Sequence, residues 1–136
     1  MAVGTLIDTN VLLDVLTEDD VWLTWSLDAL AAAGEAGPLL INPVIYAEVS
    51  TRFSRIEDLE DALPPSDFLR DPLPWEAAFL AGKAFLTYRG QSGRRSSTLA
   101  DFFIGAHAAV ADLTLLTRDA GRYRTYFPSV RLIAPN

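Results

Sequence analysis

A pattern repeated along the chain narrows its fold more than any other feature: a short apolar run ends at a polar turn, and a helical segment follows. Val3–Ile7 runs into Asp8-Thr9-Asn10, after which Val11, Leu12, Leu13, Val15 and Leu16 return at helical spacing. A buried strand, a turn with capping residues and a helix are the expected reading. Leu39–Ile41 repeats the pattern into Asn42-Pro43, with Asn suited to the N-cap and Pro to the first helical position. Leu113–Thr117 runs into Arg118-Asp119, and Val130–Ile133 closes the chain as a further strand. Helices are expected over Trp22–Ala33, Ile56–Leu63, Trp75–Tyr88 and Thr98–Ala111, with a short one at Gly121–Tyr126. Strands alternating with helices call for an α/β fold with a twisted parallel sheet covered by helices on both faces. Four strands are visible, and a fifth, at an edge, fits near Asp67–Leu69.

Length and composition bound the rest. At ~100–200 residues per domain, the 136 residues make one compact unit with a real core. Half the residues are apolar and 21% are charged, which rules out intrinsic disorder. A spanning helix needs ~20 apolar residues, and the longest uncharged stretch, between Glu35 and Glu48, contains two prolines and a glycine. No membrane span is expected, nor a secretory signal, since Asp8 arrives early. With no cysteine, disulfides, thiolate zinc sites and cysteine nucleophiles drop out together, and a reducing cytoplasm is the expected location.

The net charge of −7 conceals an asymmetry. Residues 1–81 hold 15 acids against three bases, a balance of −12, whereas residues 82–136 hold eight bases against three acids, a balance of +5. The acidic total argues against a general nucleic-acid coat protein. A basic patch in the C-terminal part, where Arg89, Arg94 and Arg95 flank a loop, still suits a polyanionic substrate.

Ligands of open α/β sheets bind outside the carboxyl ends of the strands. Asp8 follows the first strand and Asp119 follows the Leu113–Thr117 strand, so two acids from distant chain regions project at one end of the sheet. Each is also a favoured helix N-cap, a purely structural role. Glu48 shares a helix face with apolar Val44 and Ile45, so its carboxylate emerges at a buried edge and requires a cation, donors or a metal; Arg52, one turn on, is the structural alternative. Asp101 follows Thr98 by three residues, which resembles a weak capping box, yet it begins a turn loaded with Phe102, Phe103 and Ile104 that must face the core. Four acids so placed can converge on one pocket, where they would repel without a cation. An all-oxygen donor set suits Mg²⁺ or Mn²⁺.

Four segments, in order and at these separations, resemble the PIN-domain ribonucleases, and most closely VapC-type toxins of bacterial toxin–antitoxin pairs. They are LIDTNVLLD, NPVIYAEV, LADFFIGAHA and LLTRDAGRYRTYFPSVRLIAP. The resemblance covers nearly the whole chain and is weakest between Arg55 and Pro74, so a single PIN domain is expected over residues 1–136. It implies that Asp8, Glu48, Asp101 and Asp119 form the catalytic metal-binding quartet, supported by Asn10 and Thr117. It further implies a metal-dependent endoribonuclease whose products carry a 5′-phosphate, working as a homodimer restrained by a VapB-type antitoxin. A housekeeping PIN nuclease in RNA processing and a non-catalytic PIN-fold binding module are the alternatives.

The acidic helix carrying Glu57, Asp58, Glu60 and Asp61 repels RNA and suits a basic partner segment, with an apolar groove expected near Leu12, Leu16, Trp22 and Trp25. Rival chemistries fare worse. His107 is the sole histidine and points away from Asp101 along its helix, so it reads as a packing or surface residue. Asp8-Thr9-Asn10 lacks the second Asp of haloacid-dehalogenase phosphatases, and Lys83 lies within a helix, where it cannot serve a receiver domain. Tyr123, Tyr126 and Phe127 read as core or interface residues.

Overall fold

A computed structural model describes residues 4–91 and 96–135. Among them, β1 (Thr5–Ile7), β2 (Leu39–Ile41), β3 (Leu69–Arg70), β4 (Thr114–Leu116) and β5 (Leu132–Ile133) form one sheet in the order β3-β2-β1-β4-β5. Every neighbouring pair is parallel. The helices are α1 (Thr9–Leu16), α2 (Leu23–Ala36), α3 (Pro43–Ser50), α4 (Ile56–Ala62), α5 (Trp75–Arg89), α6 (Leu99–Val110) and α7 (Ala120–Tyr126). The expected edge strand is β3, which starts two residues and ends one residue beyond the anticipated Asp67–Leu69. The helix α2 runs three residues past the expected end at Ala33, through Gly34, and closes at Gly37.

Side chains of one strand alternate between the two sheet faces. Thr5, Leu6 and Ile7 are all buried in β1, so both faces of the central strand are covered. The core gathers Leu6, Ile7, Ile41, Leu115 and Leu116 from the strands with Val11, Ile45 and Phe102 from the helices. No helix among the described residues is long and apolar enough to cross a membrane.

The chain leaves β1 towards β2 and β3, then returns across the sheet to β4 on the other side of β1. That reversal creates a crevice at the carboxyl ends of β1 and β4. Ile7 pairs with Leu116, and the Asp8 amide donates to the Leu116 carbonyl at 2.9 Å. The residues after the two strands therefore stand side by side. Asn42 caps α3 by accepting from the Ile45 amide, with Pro43 in the first turn, which aims Glu48 from the neighbouring strand towards the same crevice.

His107 is fully buried, its Nδ1 2.9 Å from Asn42 Nδ2 and its Nε2 2.8 Å from Asp71 Oδ2. An amide nitrogen only donates, so Nδ1 accepts and Nε2 carries the proton that Asp71 receives. Packing is the role that the geometry gives this histidine: it ties α6 to the ends of β2 and β3.

Among the described residues, the apolar side chains expected to line a groove beside α1 and α2 are wholly or partly covered. Leu12 is buried in the core, Leu16 and Trp25 pack against it, and Trp22 lies under the Arg118 guanidinium, 5.3 Å from the ring centroid. These side chains turn inward because α1 and α2 close on one another and on the sheet. A cavity of about 860 Å³ opens instead between α3, α4 and β3, with Ile41, Pro43, Tyr46, Ile56 and Pro72 among its lining.

Candidate active site

Asp8 is the buried centre of the site, 3% exposed at the N-cap of α1. Its Oδ1 accepts from the Thr9 amide at 2.8 Å. Its Oδ2 accepts from Thr117 Oγ1 at 2.8 Å, from the Tyr123 hydroxyl at 2.9 Å and from Asn10 Nδ2 at 3.4 Å. Burial pushes the Asp8 carboxyl up to about 6, the Thr117 and Tyr123 hydroxyls pull it back, and the Asp101 charge pushes further. Burial and the Asp8 charge together hold the Tyr123 phenol well above its ordinary value, so it remains a donor to Asp8.

Thr117 knits the strand ends together. Its hydroxyl donates to Asp8 and accepts from the Asp119 amide at 3.0 Å, while Asn10 Oδ1 accepts from the Arg118 amide at 3.3 Å. Both residues with expected supporting places thus touch the Asp8 environment. Glu48 joins from α3 through Thr9, whose hydroxyl donates to Glu48 Oε1 at 2.6 Å. That bond, rather than an ion pair with Arg52, accounts for the half-buried carboxylate.

Asp101 fulfils both readings of its position. Its Oδ2 accepts from the Thr98 amide at 2.8 Å, and the Thr98 hydroxyl caps the Asp101 amide in return, a complete capping box. Its Oδ1 faces the site and meets Arg122 Nη1 at 2.8 Å. The other arm of the same guanidinium, Nη2, meets Asp119 Oδ2 at 2.7 Å. Asp119 stands at the N-cap of α7 but makes no side-chain cap; its carboxylate goes to Arg122. Burial alone would lower the Arg122 pKa, but the Asp101 and Asp119 charges outweigh it and the net shift is upward.

The crevice therefore brings Asp8, Asp101 and Asp119 around one cation and attaches Glu48 through Thr9. Among the described residues no three acidic or histidine side chains stand as a ready-made metal cage. The facing oxygens of Asp101 and Asp119 are taken by Arg122, and Glu48 is turned to Thr9. The donor set nevertheless fits a hard divalent ion, being all oxygen with a positive charge already seated among the carboxylates.

Arg89 ends α5, exposed, with its guanidinium 5.9 Å from the Phe85 ring centroid; Arg94 and Arg95 lie outside the described residues. Thr9, Arg122 and Tyr123 were not singled out from the sequence for this site. Arg122 and Tyr123 carry a readable signal, since they follow Asp119 by one helical turn. Gly105 on α6 lets that turn close in: a methyl group there would overlap the Phe127 ring and stand 3.0 Å from Tyr123 Cδ1.

The PIN domain family model matches residues 5–128, and the chain belongs to that family. No curated protein matches it in sequence. Among solved structures, a chain of VapBC-1 from nontypeable Haemophilus influenzae is similar at a TM-score of 0.72 and 16% identity, over 96% of this chain and 97% of that one. VapBC2 from Rickettsia felis, bound to a promoter DNA fragment, gives 0.71 and 15% over 96% and 98%. A toxin–antitoxin complex from Klebsiella pneumoniae gives 0.69 and 22% over 97% and 98%. These likenesses describe a shared fold.

Proposed function

We propose that the chain is a Mg²⁺-dependent endoribonuclease, the toxin of a VapBC-type toxin–antitoxin pair acting in the cytoplasm. The observation that carries this reading is the cation bound by Asp101 and Asp119 beside the buried Asp8, at the point where the strand order reverses. Asp8, Glu48, Asp101 and Asp119 would hold Mg²⁺, or Mn²⁺, through their oxygens. A bound ion of this kind activates water and screens charge on the scissile phosphodiester. The protein orients the donors: Thr117 and Tyr123 fix Asp8, Thr98 fixes Asp101, and Thr9 fixes Glu48. Arg89, with Arg94 and Arg95, is assigned to the flanking phosphates of the RNA.

Two surfaces support partners of the expected kinds. The helix α5 exposes Trp75 (88%) and Phe79 (69%) one turn apart, with Leu86 (67%) further along, an apolar stripe fitted to a second copy of the chain. The cavity between α3, α4 and β3 has an apolar floor with Glu57, Glu60 and Asp61 among its lining, complementary to a basic amphipathic segment of a VapB-type antitoxin. Expressing the chain with and without its antitoxin, then sequencing the cleaved RNA ends, tests the proposal. Growth arrest with new 5′-phosphate ends, both suppressed by the antitoxin, is expected. Normal growth with intact RNA contradicts it and favours a non-catalytic binding module.

A further inference from the structure

We propose that Arg122 is an internal competitor of the divalent ion: its guanidinium occupies the ligand oxygens of Asp101 and Asp119, and metal binding displaces it. The inference rests on the metal-dependent reading above and concerns how that site is loaded.

Arg122 is seated by geometry that matches the task. It lies three residues after Asp119 on α7, so both side chains share a helix face. Its two Nη groups go to different carboxylates, Asp101 Oδ1 at 2.8 Å and Asp119 Oδ2 at 2.7 Å. A planar fork bridges two acceptors in this way, where the compact ammonium of lysine would serve one. Asp101 has already committed Oδ2 to Thr98, so the oxygen given to Arg122 is the one left for a metal. Asp119 is half exposed and accepts from Arg122 alone among the bonds of its described carboxylate. An ion entering between these acids meets the guanidinium on the same atoms.

The seat is strong yet incomplete. Without a cation, Asp8, Asp101 and Asp119 would repel one another, so the guanidinium stabilises their convergence. Its Nε, however, is buried with no hydrogen-bond partner, a donor left unsatisfied in this position and recovered on leaving it. A divalent ion offers twice the charge to the same oxygens and releases that donor to solvent. Exchange of one cation for the other is thus favourable in direction, while the competition weakens the apparent metal affinity.

Calorimetric titration of the purified chain with Mn²⁺ tests this, comparing wild type with Arg122→Gln and Arg122→Lys. The Gln variant is expected to bind about tenfold more tightly, the coupling of two half-buried charge-assisted bonds, with the Lys variant between them. Its melting temperature in EDTA should fall, and its rise on adding Mn²⁺ should exceed that of wild type. A residue that only braces the site predicts the opposite, so equal or weaker Mn²⁺ binding by the Gln variant overturns the inference and leaves the metal-dependent reading standing. Failure of wild type and both variants to bind Mn²⁺ overturns the two together. Should Arg122→Gln not fold, the Nε–Hε resonance of Arg122 in wild type decides: a shift on saturation with Mg²⁺ supports displacement, and an unchanged resonance refutes it.

Discussion

Arg118 grips Asp14 with both arms of its guanidinium, Nε to Oδ2 at 2.7 Å and Nη2 to Oδ1 at 2.8 Å. Asp14 is 2% exposed on α1, and its Oδ2 also accepts from the Ser26 hydroxyl of α2 at 2.7 Å. The turn that carries Thr117 and Asp119 is thereby clamped to the two helices beside Asp8. The clamp lies next to the site without entering it.

Removing Arg118 leaves a buried carboxylate facing a single hydroxyl. Arg118→Ala should cost roughly 2–3 kcal/mol, less than a fully buried pair because the guanidinium is partly exposed. Urea denaturation in EDTA measures it. A loss under about 0.5 kcal/mol would show that Asp14 is solvated in place.

Asp8 makes stability fall as pH rises. Its folded carboxyl titrates near 6 against 3.8 for the ordinary group, so the native state holds the proton more tightly. The penalty is absent below 3.8, develops between 3.8 and 6, and is complete at neutral pH. Asp8→Asn, which does not titrate, should be more stable than wild type at pH 7 in EDTA, by on the order of 2 kcal/mol. The gap should close towards pH 4. A variant no more stable than wild type at pH 7 would contradict the buried-charge account.

The strands and helices were legible because their apolar runs and the Asn42-Pro43 helix start are local signals. Asp8 and Asp119 were legible because strand ends in a parallel sheet share one edge. Arg122 and Tyr123 carry only the local signal of lying one helical turn after Asp119; which of them meets Asp8 depends on how the short helix α7 packs. Whether the apolar side of α1 and α2 stays open to a partner was not legible for a related reason. An amphipathic helix shows which face is apolar, and only the fold shows whether that face is covered.

Phe79→Asp on α5 should convert a dimer into a monomer without unfolding it, because the ring is exposed in one chain. Light scattering with circular dichroism reads both. A wild-type chain that is already monomeric at tens of micromolar would remove this stripe as the contact between copies.

Reversing Glu57, Asp58 and Asp61 to Lys should slow antitoxin association at low salt while leaving intrinsic RNA cleavage nearly unchanged. Glu60 is spared because it is bound to Arg70 at 2.6 Å and to the Tyr46 hydroxyl at 2.6 Å. Stopped-flow mixing measures the rate. An association rate independent of these charges would confine the antitoxin contact to its apolar part.

The central claim is that Asp8 and the three carboxylates around it, Glu48, Asp101 and Asp119, cut RNA with a divalent ion. Its most direct measurement is cleavage of a defined RNA by the purified chain in Mg²⁺ and in EDTA, beside folded Asp8→Asn and Asp101→Asn variants. The account predicts 5′-phosphate products from wild type in Mg²⁺ only, and none from either variant. Cutting at the wild-type rate by both variants in Mg²⁺ would contradict it.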